Sequence, residues 1–197
     1  ETIKKQCSEA YYEARKRLSD LIETRRIKVN SRLLDIYGVL ASVILTAFKA
    51  GLPIDFLGDF NKETQEQIMF QTFADFVQEQ SQMEAQAVEV MVFWQIFESM
   101  KDRGIVRKGI DYKADYENHE FSIRNSVFDS YMKYYREVNA EKGVDKKSLM
   151  KYLEQEKYYR AHSVRKYFDS PEGEDSQRAR AWVFDLLMLE KEGVIFD

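Results

Sequence analysis

The chain has 197 residues, 44% of them apolar and 14% aromatic, which is enough to bury a proper core and excludes a disordered composition. Its net charge is −4, and one cysteine, Cys7, excludes an intrachain disulfide framework and fits a reducing cytoplasm. No apolar run approaches the roughly 18–20 residues that cross a bilayer; the most apolar stretch, 39–48, reads as a buried helix.

In chain order, the spacing predicts a first helix over 3–28, strongly charged, with a sparse stripe of Ile3, Tyr11, Leu18, Leu21 and Ile22. Asn30 or Ser31 can cap a second helix over 32–50, ended by Gly51 and Pro53. That helix is apolar nearly all round, which places it in the middle of a bundle. After a loop over 52–61, a third helix is expected over 62–80, with Ile68, Met69, Phe73, Phe76 and Val77 at three- and four-residue spacing. A fourth follows over 82–102, holding Val88, Met91, Val92, Trp94, Ile96, Phe97 and Met100; continuity through Ser81 is left open.

The pattern then changes to alternation. Ile110, Tyr112, Ala114 and Tyr116, a turn at Glu117-Asn118, then Phe121 and Ile123, read as a β-hairpin. Helices are expected at 126–139 and 145–155, and strands at 160–168 and 178–184, joined by a polar loop over 169–177. Helix, helix, hairpin is the order of a winged helix, in which the second helix and the hairpin loop meet a duplex. The fold class expected is therefore mainly α: a four-helix bundle over 1–103, then a winged-helix-like α+β module over 104–197. The first residue is Glu1 rather than Met, as in a processed chain or an excised fragment.

Charge supplies the first functional candidate. Residues 55–102 carry ten acidic and two basic side chains, so this middle region repels a duplex and reads as a structural face or a surface for a basic partner. Residues 146–166 carry seven basic against two acidic. Lys146, Lys147 and Lys151 fall on the helix over 145–155, with Leu149, Met150 and Leu153 on its inward side. Lys157, Arg160, Arg165 and Lys166 follow, and Arg178 and Arg180 lie behind the loop. These nine are the expected phosphate contacts, unless the patch is an ordinary solvated face. Asp169, Glu172, Glu174 and Asp175 load the loop with acid, which favours protein binding nearly as much.

Tyr131, Tyr134, Tyr135, Tyr152, Tyr158 and Tyr159 lie among cations and either stack on unpaired bases or, as such tyrosines more often do, pack the core. Trp182 and Phe184 read as core. The cations of the first helix suit a packing surface, and Arg32 either forms an interhelical ion pair or reaches a nucleotide in a neighbouring ATPase core. Cys7 reads as a solvated thiol. His119 and His162, with one cysteine, give no zinc spacing, and Glu84 and Glu89 lack the His of a di-iron bundle. Neither GxxxxGK nor GxGxxG occurs. No cofactor, metal, membrane contact or catalysis is expected of this region.

The segments FWQIFESMKDRGIV at 93–106, GIDYKADY at 109–116, FDSYMKYYREVNAEKGV at 128–144, SLMKYLEQEKYY at 148–159, SVRKYF at 163–168 and AWVFDLLML at 181–189 form a series. It resembles the C-terminal region of primase–helicase-type replication proteins of bacterial mobile elements and phages. Residues 30–50 are similar to the helical segment after the ATPase core of such proteins. The resemblance implies a cytoplasmic, non-catalytic accessory region that positions DNA or meets an upstream ATPase domain or another replication subunit, with ATPase or primase chemistry lying elsewhere.

Overall fold

The computed structural model describes residues 2–52, 60–139, 143–171, 173 and 176–194. Among the described residues, six helices and four strands follow the order α1 (Thr2–Thr24), α2 (Ser31–Lys49), α3 (Lys62–Asp102), β1 (Tyr112–Asp115), β2 (Glu120–Arg124), α4 (Asn125–Val138), α5 (Lys146–Glu154), β3 (Tyr159–Phe168), β4 (Gln177–Asp185) and α6 (Leu186–Lys191). The layout is mostly helical with a small antiparallel sheet. Contacts divide the chain into Glu1–Ala85 and Gln86–Asp197. The division falls inside α3, not at the 103/104 boundary expected from composition.

The expected third and fourth helices are one helix of 41 residues. The junction at Gln80-Ser81-Gln82 contains neither Pro nor Gly, so nothing there breaks the i→i+4 ladder. The first unit accordingly packs three helices rather than four. Small residues on facing sides let α1 and α2 approach: a Cβ on Gly38 would lie 3.2 Å from the Cβ of Arg15. Leu18 of α1, Leu45 and Phe48 of α2, and Met69 and Phe70 of α3 form the core. Asn30 caps α2, its Oδ1 accepting the Arg32 N–H at 3.0 Å.

The expectation that α2 sits in mid-bundle fails. Ile36, Val39, Leu40 and Val43 are between 46% and 65% exposed, because α1 and α3 cover one side of the helix only. By length and composition α2 is also long and apolar enough to cross a membrane, contrary to the expected limit of 39–48. One third of that stretch is buried, and Asp35 near its start is ion-paired to Arg15 at 2.6 Å. A cation of α1 and one of the turn after it are matched similarly: Arg17 meets Glu66 at 2.7 Å and Arg25 meets Asp75 at 2.6 Å. Arg32 is exposed, as is Cys7. Most of the loop expected over 52–61 lies outside the described residues.

In the second unit the sheet runs β1-β2-β4-β3, all antiparallel. The expected hairpin over 110–123 is β1 and β2. The register puts Phe121 opposite Phe184 and Ile123 opposite Trp182 on one face. The buried rings of Phe93, Phe97, Phe128 and Tyr131 pack with that face, and Phe93 stacks on Phe128 at 5.5 Å and 7°. The other face carries Lys113, Glu120, Arg124 and Lys166, set by the alternation of strand side chains. Gly109 ties the start of this sheet to the end of β3: its carbonyl accepts the Asp169 N–H at 2.9 Å. Its φ of +84° favours glycine, and a Cβ there would have to displace the Asp169 carboxylate.

Candidate nucleic-acid interface

α5 is short and amphipathic. Leu149 and Leu153 are buried, Met150 and Tyr152 are half-buried, and Lys147 and Lys151 stand one turn apart on the exposed side. Asp145 starts the helix: its Oδ1 accepts the N–H groups of Lys147 (3.0 Å) and Ser148 (3.1 Å), and the Ser148 hydroxyl donates to Oδ2 at 2.7 Å. Those donors, the Ser148 hydroxyl foremost, hold the Asp145 carboxyl below its ordinary range.

The nine candidate cations fall into two groups. Lys146 is paired with Asp129 at 2.5 Å. Arg160 donates to Asp185 Oδ2 at 2.8 Å and to the Asn118 carbonyl at 3.2 Å, and Lys166 is paired with Glu120. These three already have counter-charges. Arg160 also depresses the Asp185 carboxyl, with help from the Met188 N–H that Asp185 caps at the start of α6. Lys147, Lys151, Lys157, Arg165, Arg178 and Arg180 are exposed, and none forms an ion pair among the described residues.

The hairpin brings three of the second group together. Arg165 lies directly opposite Arg180, and Tyr167 directly opposite Arg178. Alternation then puts all four side chains on the same face of the ribbon. That is the face which, further along, carries Trp182 and Phe184 into the core. Tyr167 is 59% exposed, and the Arg178 guanidinium lies 5.8 Å from its ring centre. Tyr167 escaped sequence reading. Folding the two strands back on each other in antiparallel register would have paired its i, i+2 spacing from Arg165 with Arg178 and Arg180.

β3 is irregular closer to the core. Register shifts occur between Tyr159 and Ala161 and between Ala161 and Val164, and Ser163 takes a φ of +56°. The bulge presents His162 to Tyr159 Oη (2.6 Å) and to Glu154 Oε1 at the end of α5 (3.3 Å). Glu172, Glu174 and Asp175 of the acidic loop lie outside the described residues.

The tyrosine clusters go to the core instead of to bases. Tyr131, Tyr134 and Tyr158 are buried and Tyr135, Tyr152 and Tyr159 half-buried. Trp94 Nε1 donates to Tyr158 Oη at 2.9 Å, and burial pushes the Tyr131 and Tyr158 hydroxyls well above the ordinary phenol range. Comparison of the chain with protein-family models, curated proteins and solved structures gave no match.

Proposed function

We propose that Gln86–Asp197 is a winged-helix-type unit that holds DNA by its phosphates, weakly and without base readout. The connectivity supports it: α3, β2, α4, α5, β3, loop, β4, with strand order β2-β4-β3, is the helix–strand–helix–helix–hairpin path of that fold, and β1 is an added edge strand. The observation that carries the reading is the Arg165–Arg180 cross-strand pair with Arg178 and Tyr167 beside it. Like charges directly opposite on a ribbon work against pairing, and a phosphate backbone supplies the counter-charge. Lys147, Lys151 and Lys157 add three further contacts. In the wider setting proposed, this is a non-catalytic, cytoplasmic region of a primase–helicase-type replication protein of a mobile element.

The test is anisotropy of labelled duplex and single-stranded DNA at about 50 and 200 mM salt. Six phosphate contacts predict an affinity loss of roughly 10³-fold across that range. An Arg165→Glu/Arg180→Glu variant binds more weakly at both salts, whereas Arg160→Gln, which removes an already paired cation, leaves binding near the parent value. Absence of binding at 50 mM salt overturns the reading. It would leave protein recognition without nucleic acid, which the exposed apolar side of α2 favours.

A further inference from the structure

The second unit has a groove of about 440 Å³ whose walls come from α3, from the turn before β3 and from the residues after α6. Such a volume lies in the range of about 300–1,000 Å³ typical of sites that take a ligand or an anchoring side chain. Its floor is apolar: Val90, Met91, Trp94, Tyr158 and Val194. A hydrogen bond joins Trp94 to Tyr158, and both side chains are otherwise buried in the core. Met91 and Val88, both 52% exposed and one turn apart, extend the apolar surface outward along α3.

The rim is acidic. Glu98, Glu156 and Glu192 line it, and no basic side chain does among the described residues. Glu98 is shared with Lys101 at 3.1 Å; Glu156 and Glu192 have no such partner among the described residues. Burial first, and the Glu192 carboxylate second, raise the Glu156 carboxyl above its ordinary range against the smaller opposing pull of the neighbouring Lys157. Among the described residues no three ligating side chains meet closely enough to hold a metal ion. The carboxylates are therefore spaced along a rim above an apolar floor, which suits an organic cation with apolar neighbours. Nucleic acid is excluded by the same charges.

We propose that this groove binds a short segment of a partner protein, seating an apolar side chain against Trp94 and Met91 and a lysine or arginine between Glu156 and Glu192. The site is separate in chemistry from the cationic hairpin and stands whether or not the chain binds DNA.

The test uses the full chain, labelled with ¹⁵N, and a capped six-residue peptide alternating leucine with lysine. Matched peptides alternate leucine with glutamate and leucine with serine. The lysine peptide is expected to shift the Trp94 indole N–H signal saturably and leave in place that of Trp182, which does not line the groove. A Glu156→Gln/Glu192→Gln variant, its fold checked by its own spectrum, should bind about tenfold more weakly, the loss of two partly exposed charge contacts. Several results overturn the proposal: no Trp94 shift at about 1 mM peptide, equal binding of the three peptides, or unchanged affinity in the variant. A Trp94 shift that depends on protein concentration without peptide does so too, by making the occupant a second copy of the chain.

Discussion

Glu89 lies on α3 with one carboxylate oxygen, Oε2, buried and without a hydrogen-bond partner among the described residues. The Tyr131 hydroxyl, also buried and unpartnered, senses its charge. Burial raises the Glu89 carboxyl above its ordinary range. A carboxyl whose pKa rises on folding binds its proton more tightly in the folded state. Its burial cost is then absent below the unfolded value near 4.5, grows as pH rises through the window up to the raised value, and is constant above it. Glu89→Gln removes the charge and keeps the shape. The variant should melt higher than the parent at pH 7, by no more than the 2–4 °C that about 1 kcal/mol gives in a chain of this size. The gain should vanish by about pH 4, where the parent carboxyl is protonated as well. Melting curves at several pH values decide this; an equal gain at pH 4 and 7 would mean that packing, not charge, is responsible.

At the scale of elements, most of what was legible in the sequence is local chemistry. Asn30 caps α2 because a short acceptor side chain precedes a run of helix formers, and Asp145, expected as the first residue of its helix, caps α5 in the same way. Alternation revealed β1 and β2, whereas β4 is buried at four consecutive residues, Ala181 to Phe184, and β3 is broken by register shifts. What escaped is set by neighbours. α6 follows Asp185, a cap visible in the sequence, but its six residues are too few to show a period. The exposed side of α2 was hidden because an apolar composition does not say how many helices surround it. Among the nine cations, type and spacing marked the candidates, while long-range pairs such as Lys166–Glu120, 46 residues apart, decided which are already neutralised. The β3–β4 ribbon makes a prediction that separates stability from function. Arg165 and Arg180 face each other, so Arg180→Gln should stabilise the folded chain by up to about 0.5 kcal/mol, judged from the size of cross-strand pair effects. The same variant should weaken DNA binding and flatten its salt dependence by about one phosphate contact. Chemical denaturation and anisotropy on one protein sample read both quantities. A destabilised variant would show that some other group already balances the pair.

For the whole molecule, the question is where an independently folding unit begins. Composition changes at 103–104, where Gly104 ends α3 at a φ of +69°, and a boundary there looks natural in the sequence. The buried side chains say otherwise. Val90, Phe93, Trp94, Phe97 and Met100 all lie on α3 before that point, and all belong to the core that also holds Phe121, Phe128, Trp182 and Phe184. Losing even one buried aromatic ring costs about 3–5 kcal/mol, and a domain of this kind has only about 5–15 kcal/mol in total. A fragment of residues 104–197 lacks all five and should be unfolded or aggregated. A fragment of residues 86–197 keeps them and should unfold in one cooperative transition. If the cationic hairpin and α5 are the DNA contact, the 86–197 fragment also keeps the salt dependence of the full chain, because every proposed phosphate contact lies within it. Circular dichroism and denaturant titration of the two fragments test the folding claim, and anisotropy of the longer one tests the functional claim. Cooperative folding of 104–197 would mean that the aromatic cluster closes without α3. An 86–197 fragment that folds but does not bind DNA would move the contact to the cations of the first unit.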